Sequence, residues 1–198
     1  MRHLHLQGLV ITLADFDAEF SKHLENTRRW YPFRAIVADL IARGRPVNIV
    51  ETGCARQIDN WAGDGQSTLV WDWLLNKVGG TGLSMDVNDS SCRAAAAQVQ
   101  HFKVACVDSV VGLRTMVKPE TIDFLYLDSF DLTETIDSPT HHLAELASVY
   151  ARLPSGCLIA VDDCVTEQHG KHRFVRDWLA KMGVQPIVRG YVTVWVKP

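Results

Sequence analysis

An α/β domain, doubly wound around a mostly parallel seven-stranded sheet, is the fold class the sequence predicts. Three observations carry it. From Val47 onward, short apolar runs alternate with amphipathic ones, the pattern of repeated strand–helix units. Such units cross over right-handed, which lays the strands parallel and covers both faces of the sheet. The last two apolar runs, 186–188 and 191–196, are separated only by Arg189-Gly190. That link is too short for a crossover, so the two must pair antiparallel as a terminal β-hairpin.

Each element follows in order. Phe16, Phe20 and Leu24 recur at helix spacing, and Ile36, Leu40 and Ile41 do so again after Pro32 interrupts. Gly44 stops the second helix as a C-cap. This defines an N-terminal helical extension, 1–45, ahead of an α/β domain over 46–198. Within the domain, 47–50 is the first strand, and a helix over 67–76 opens at Ser67 and closes at Gly79-Gly80. A strand over 81–85, an alanine-rich helix over 90–100 and a strand over 102–107 come next. A short helix over 109–116, a strand over 122–127, a helix from about 141 to 153, a strand over 156–161 and an amphipathic helix over 171–182 complete the alternation.

Composition narrows the function classes. The chain has 198 residues, 47% of them hydrophobic, enough for one ordinary domain with a sizeable core. It has no apolar run of membrane-spanning length, and its N-terminus lacks the features of a signal peptide. A net charge of -3 leaves no electrostatic footprint for nucleic acid or an anionic membrane. The five cysteines are odd in number and contain no CxxC pair, which argues against a disulfide framework or a zinc site. They read as reduced thiols in a cytoplasmic protein, with Cys106 and Cys157 in the core. Oligomeric state is left open, a homo-oligomer being compatible with all of this.

Ligands of a doubly wound sheet bind beyond the carboxyl ends of its strands, at the topological switch point. Every parallel strand here ends in an acid. Glu51-Thr52-Gly53 follows the first, Asp86 the second, Asp108-Ser109 the third, Asp128 the fourth and Asp162-Asp163 the fifth. Gly53 lets the backbone approach a ligand closely. Asp86 is placed to accept hydrogen bonds from ribose hydroxyls; its alternative role is that of an ordinary loop acid. Asp108 either binds a ligand with Ser109 or caps its helix. Neither a G-x-G-x-x-G turn nor a phosphate-binding loop is present, which weakens dinucleotide and nucleoside-triphosphate readings.

Glu-Thr-Gly after strand one, an acid after strand two, Asp-Ser after strand three and the final hairpin together resemble the class I S-adenosylmethionine-dependent methyltransferases. The resemblance runs from about Val47 to the C-terminus and implies their Rossmann-like fold. It also implies that Glu51, Thr52 and Gly53 line the methionine end of S-adenosylmethionine, that Asp86 holds the ribose, and that Asp108 and Ser109 meet the adenine. The loop between Gly53 and Gly65 is longer than is usual in the family. Gln66, Ser67 and Thr68, at the start of the following helix, are therefore candidates for the cofactor carboxylate, and Asp128 is counted with the cofactor residues as well.

Neighbouring strand ends would bring Asp128, Asp162 and Asp163 to one point, where unpaired acids repel one another. A divalent cation removes that cost, and an oxygen-only donor set suits Mg²⁺. This is similar to the metal-dependent O-methyltransferases of the macrocin and novobiocin type, and it implies methylation of a small hydroxylated acceptor. Such a metal lowers the hydroxyl pKa and aims its oxygen. Asp131 is the first candidate general base, with His141, His142 and His169 behind it. Trp30, Tyr31, Phe33 and Trp61 either form a lid or pack the N-terminal helices. Arg28, Arg29 and Arg34 read as a solvated helix face that could also pair with an anionic acceptor. A metal-independent methyltransferase for a nitrogen or protein acceptor, and a non-catalytic cofactor-binding module, are the competing functions.

Overall fold

The computed structural model describes residues 11–132, 137–166 and 168–198. Among these, five parallel strands are β1 (Val47–Thr52), β2 (Gly80–Asp86), β3 (Phe102–Cys106), β4 (Phe124–Leu127) and β5 (Leu158–Val161). A sixth, β6 (Thr193–Val196), runs antiparallel to β5, and the sheet order is β3-β2-β1-β4-β5-β6. The order reverses at β1, which pairs with β2 on one side and β4 on the other. The switch point therefore lies between β1 and β4, and it is there that a crevice opens.

Helices α1 (Leu13–Leu24) and α2 (Trp30–Ala42) precede the sheet, and α3 (Ser67–Val78), α4 (Asp89–Ala96), α5 (Ser109–Thr115), α6 (Asp137–Val149) and α7 (Arg173–Lys181) cross between strands. Strand residues alternate between two apolar clusters, one on each face. Ile49, Phe124, Tyr126, Leu158 and Ala160 meet Phe16, Phe33, Trp71 and other residues of α1, α2 and α3. Val50, Leu125, Leu127, Ile159 and Val161 meet Leu113, Leu146 and Val175 of α5, α6 and α7. A sheet covered on both faces explains why these strands read as unbroken apolar runs.

Four details depart from the expectation. Among the described residues the sheet has six strands, not seven: segment 186–188 makes a single bridge, Val188 to Val194, because the N–H groups of Ile187 and Val188 both converge on the Val194 carbonyl, a two-on-one pairing that does not continue as a ladder. Pro32 does not break a helix; it occupies the first turn of α2, where the backbone N–H has no helical partner anyway. Cys106 is exposed, because β3 is an edge strand, whereas Cys157 is buried as expected. Helix α4 starts one residue early and ends at Ala96, its N-terminus capped by the Asn88 side chain, which accepts from the N–H groups of Ser90 and Ser91.

The first two helices belong to the packing of the sheet. Phe33 is fully buried, with ring centroids 5.0 Å from Trp71 and 6.0 Å from Tyr126. Trp30 stacks on Phe16, and Trp61 lies against Phe20 and His23, so of the four aromatic residues only Tyr31 is left exposed. No helix of the described residues is long and apolar enough to cross a membrane. Truncating a buried aromatic ring of this kind costs about 3–5 kcal/mol. Phe33→Ala should lower the urea midpoint accordingly while leaving the denaturant slope unchanged, which equilibrium unfolding measures directly.

Candidate active site

The crevice at the switch point has a volume of about 200 Å³ and is lined by backbone and side chains from Gly53, Cys54, Arg56, Asp64, Ser67, Asp86, Asn88, Asp128, Asp131, Asp163, Arg29 and Lys171, among others. Gly53 forms its floor. Its φ is +79°, and a Cβ there would lie 2.4 Å from the Asp128 carbonyl oxygen. Only glycine lets the end of β1 lie this close to the end of β4. Beside it, Asp86 accepts from the backbone N–H of Asn88 (2.7 Å) and, at 3.4 Å, from that of Cys54. Burial and the Asp86 charge push the Cys54 thiol far up, so it borders the crevice as a neutral group.

Glu51 is placed differently from Gly53. It is fully buried, and Ser67, Thr68 and Ser84 each donate a 2.7 Å hydroxyl hydrogen bond to its carboxylate. Thr68 Oγ1 in turn accepts from the Ala55 N–H at 3.0 Å. These bonds tie β1, β2, the loop after β1 and the start of α3 together beneath the crevice. Of this group only Ser67 reaches the lining. Thr52 is buried at the end of β1, where its hydroxyl accepts weakly from the Asp128 N–H. Gln66 is buried in a left-handed conformation and donates to the Gln57 carbonyl at 2.7 Å. Asp108 caps α5 by accepting from the Val111 N–H. Ser109 is buried, 3.0 Å from His141 Nε2.

The acids after β4 and β5 do converge, but with the chain's own cations among them. Lys171 lies between Asp128 and Asp163, bonded to Asp128 Oδ1 and 3.0 Å from Asp163 Oδ2. Arg29 Nε donates to Asp162 Oδ2 at 2.7 Å, and its NH2 group lies 3.5 Å from Asp163. The Tyr126 hydroxyl also donates to Asp162 Oδ2, at 2.6 Å, and the Tyr191 hydroxyl donates to Asp163. Asp163 adopts a left-handed backbone conformation, φ +50°, and its N–H donates to Asp162 Oδ1 at 2.7 Å. Arg29 was expected on a solvated face; it is instead buried, and Arg34 pairs with Asp17 of α1. Lys171 is not visible as a site residue to sequence reasoning, and Arg29 is visible only as a possible partner of an anionic acceptor, because each finds its carboxylates far along the chain or across a turn.

Charge and burial set the protonation pattern. Two cations against three carboxylates leave one negative charge without a counter-ion. Asp128 is where that imbalance is relieved: burial pushes its carboxyl well above the usual range, Lys171 offsets part of this, Asp162 and Asp163 add to it, and the neutral, protonated form is thereby favoured. Burial would also raise Asp163, but Lys171, Tyr191 and Arg29 outweigh it and hold that carboxyl low. Burial would lower Arg29 and Lys171, yet their carboxylate partners drive both upward, so both remain cations.

The proton-transfer candidates are scattered. Asp131 lines the crevice but forms an exposed ion pair with Arg56 at 2.9 Å. His141 lies off the lining, its pKa raised by a hydrogen bond to Glu145. His142 is fully buried inside α6 with Nδ1 2.7 Å from the Ser138 carbonyl, and desolvation pulls it down to about 4. The His169 backbone closes a turn with Thr166: its N–H donates to the Thr166 carbonyl and Oγ1, and its carbonyl accepts from the Thr166 N–H.

The donor set does not fit the Mg²⁺ expected from the sequence. Of the six oxygens of Asp128, Asp162 and Asp163, five already accept a bond from Lys171, Arg29, Tyr126, Tyr191 or a backbone N–H. Asp162 has neither oxygen to spare and does not reach the lining. Among the described residues no set of three or more His, Cys, Asp or Glu side chains is arranged to hold a metal.

No protein-family model matches the sequence, and no curated protein matches it either. Solved structures do match the fold. The N-methyltransferase NodS from Bradyrhizobium japonicum is similar with a TM-score of 0.56 at 11% identity, over 88% of this chain and 98% of that one. The O-methyltransferase NovP gives 0.58 at 17%, over 88% and 82%. MycE from the mycinamycin pathway, solved with Mg, SAH and mycinamycin VI, gives 0.64 at 14%, over 96% of this chain but 54% of its own. This chain therefore spans about half the length of MycE. The fold is that of the class I methyltransferases, as the sequence predicts.

Two tests follow from the geometry. The Glu51 carboxyl, raised by burial from 4.5 to about 7, binds its proton more tightly in the folded state than in the unfolded. Its contribution therefore lowers stability as pH rises from about 4.5 to 7, by about 3 kcal/mol at about 1.4 kcal/mol per unit. Glu51→Gln should flatten that part of the stability–pH curve obtained by denaturant titration. Arg29→Ala leaves Asp162 buried without its cation and should cost about 3–5 kcal/mol, seen as a large loss of unfolding midpoint.

Proposed function

We propose that this chain is a methyltransferase that uses S-adenosylmethionine and methylates a hydroxyl of a small molecule. The observation that carries the reading is the crevice at the switch point, floored by Gly53 and bordered by Asp86 on one side and Asp128 on the other. Its residues fit the cofactor. The backbone at Gly53 and Cys54 gives a close approach, Asp86 faces the position of a ribose, and a ligand carrying a sulfonium cation would favour the ionised form of the Asp128 carboxyl. When bound, that cofactor supplies an electrophilic methyl group on sulfur.

The protein's own residues would do the rest. The Glu51 bonds to Ser67, Thr68 and Ser84 hold the start of α3 and the crevice floor in one geometry. Arg29 joins segment 25–29 to Asp162 and, at 3.3 Å, to the Gly63 carbonyl, so the loop after β1 is fixed over the site. In this reading the helical extension, 1–45, completes the site of the domain over 46–198. We put the acceptor on the side of Asp128 and Lys171 because both line the crevice; a hydroxyl acceptor and a small molecule are supported by the likeness to the O-methyltransferase NovP and to MycE solved with mycinamycin VI. Asp131 is retained as proton acceptor because it lines the crevice; its ion pair with Arg56 must open for it to act. The roles of Asp108 and Ser109 toward the adenine are carried by the sequence resemblance alone, and His141 and His142 stand as alternative proton acceptors on residue type alone.

Binding is the first test. Calorimetry with S-adenosylhomocysteine should give a dissociation constant in the micromolar range, roughly -8 kcal/mol. Asp86→Ala should weaken it at least about tenfold, about 1.4 kcal/mol. Folded wild-type protein that binds no S-adenosylhomocysteine would overturn the proposal.

A further inference from the structure

We propose that Lys171 is a built-in cation standing where the sequence resemblance expects a divalent metal, so that the carboxylate cluster works without one. Its ammonium joins the two acids that border the crevice, Asp128 and Asp163, and lies 3.5 Å from the Asp128 carbonyl as well. The side chain is 1% exposed. The backbone N–H of Lys171 donates to the carbonyl of Asp163 at 3.3 Å, so the residue is anchored to the same turn whose carboxylate it grips. Arg29 completes the arrangement by neutralising Asp162 behind it.

A metal would have to expel this ammonium. It would then break both ion pairs and leave a buried lysine without a counter-ion, a large cost that the metal bonds must first repay. Lysine and Mg²⁺ also differ in what they can do. A divalent ion chelates through an octahedron of oxygens, whereas an ammonium offers a single charge and directed N–H donors. If the crevice is the transferase site proposed above, on which this extension rests, Lys171 presents its ammonium to the acceptor from the lining. The acceptor is then a compound with one hydroxyl to be hydrogen-bonded, with no need for a neighbouring oxygen to complete a chelate.

The test is a Mn²⁺ titration of the EDTA-treated full chain, with free Mn²⁺ counted by its electron paramagnetic resonance signal. Wild type should show no saturable site up to about 1 mM, the weak end of specific binding. Lys171→Ala and the better-filling Lys171→Met should each acquire one site, lost again when Asp128→Asn is added. Wild type that binds one Mn²⁺, with Asp128→Asn abolishing it, overturns the inference, and so do folded Lys171 variants that bind none. Should neither variant fold, the wild-type titration decides alone. S-adenosylhomocysteine binding measured on the same samples separates the two proposals. Its absence defeats the transferase reading, while the Mn²⁺ count still judges the lysine.

Discussion

Three carboxylates meet at the ends of two adjacent parallel strands, and they cannot stay charged there unless something cancels them. In this chain the cancelling groups are Arg29 and Lys171. Much of the surrounding structure follows from supplying those two cations. Arg29 comes from the connection between α1 and α2, which requires the first helices to pack on the sheet. Lys171 comes from the turn after β5, which requires the left-handed bend at Asp163. Tyr126 and Tyr191 add hydroxyl donors to the Asp162 and Asp163 oxygens that Arg29 already meets, and burial with the Asp163 bond pushes Tyr191 up to about 12.

The same constraint links the two halves of the crevice. On the β1 side, a second buried acid, Glu51, is handled with neutral donors: three hydroxyls accommodate it where the β4–β5 side uses full charges. The difference has a consequence for ligands. The Glu51 group is closed and faces inward, whereas the Asp128–Lys171–Asp163 group lines the crevice with a carboxyl, Asp128, that burial drives toward its neutral form. A cationic ligand on that side would draw Asp128 toward its charged form, while the floor at Gly53 contributes shape through the contact of two strand ends.

The sequence makes the framework legible because its signals are local. Apolar runs that alternate with amphipathic ones, and an acid after each parallel strand, are properties of short windows, and the resulting topology places the crevice at the expected strand ends. The missing seventh strand is a failure of the same kind of signal: Ile187 and Val188 look like strand residues, but both their N–H groups fall on the one Val194 carbonyl, a register that apolar patterning does not reveal. The site's charge balance is harder to read. Arg29 looks like one residue of a solvated basic patch, since its partner Asp162 lies 133 residues away. Lys171 looks like the first residue of an amphipathic helix. The usable signal was the acids themselves: three carboxylates at one point demand cations, and the chain's own lysines and arginines compete with a metal for that role. Glu51 shows the converse, since a strand-end acid can be spent on the scaffold when serines and threonines stand opposite it.

The account turns on what lies between Asp128 and Asp163 when the cofactor site is filled. A crystal structure of the chain grown with S-adenosylhomocysteine and Mn²⁺, with anomalous data at the manganese edge, observes this directly. The expected result is S-adenosylhomocysteine over Gly53 beside Asp86, the Lys171 ammonium between the two carboxylates, and no anomalous peak there. A manganese peak ligated by Asp128 and Asp163, with Lys171 swung away, would contradict it.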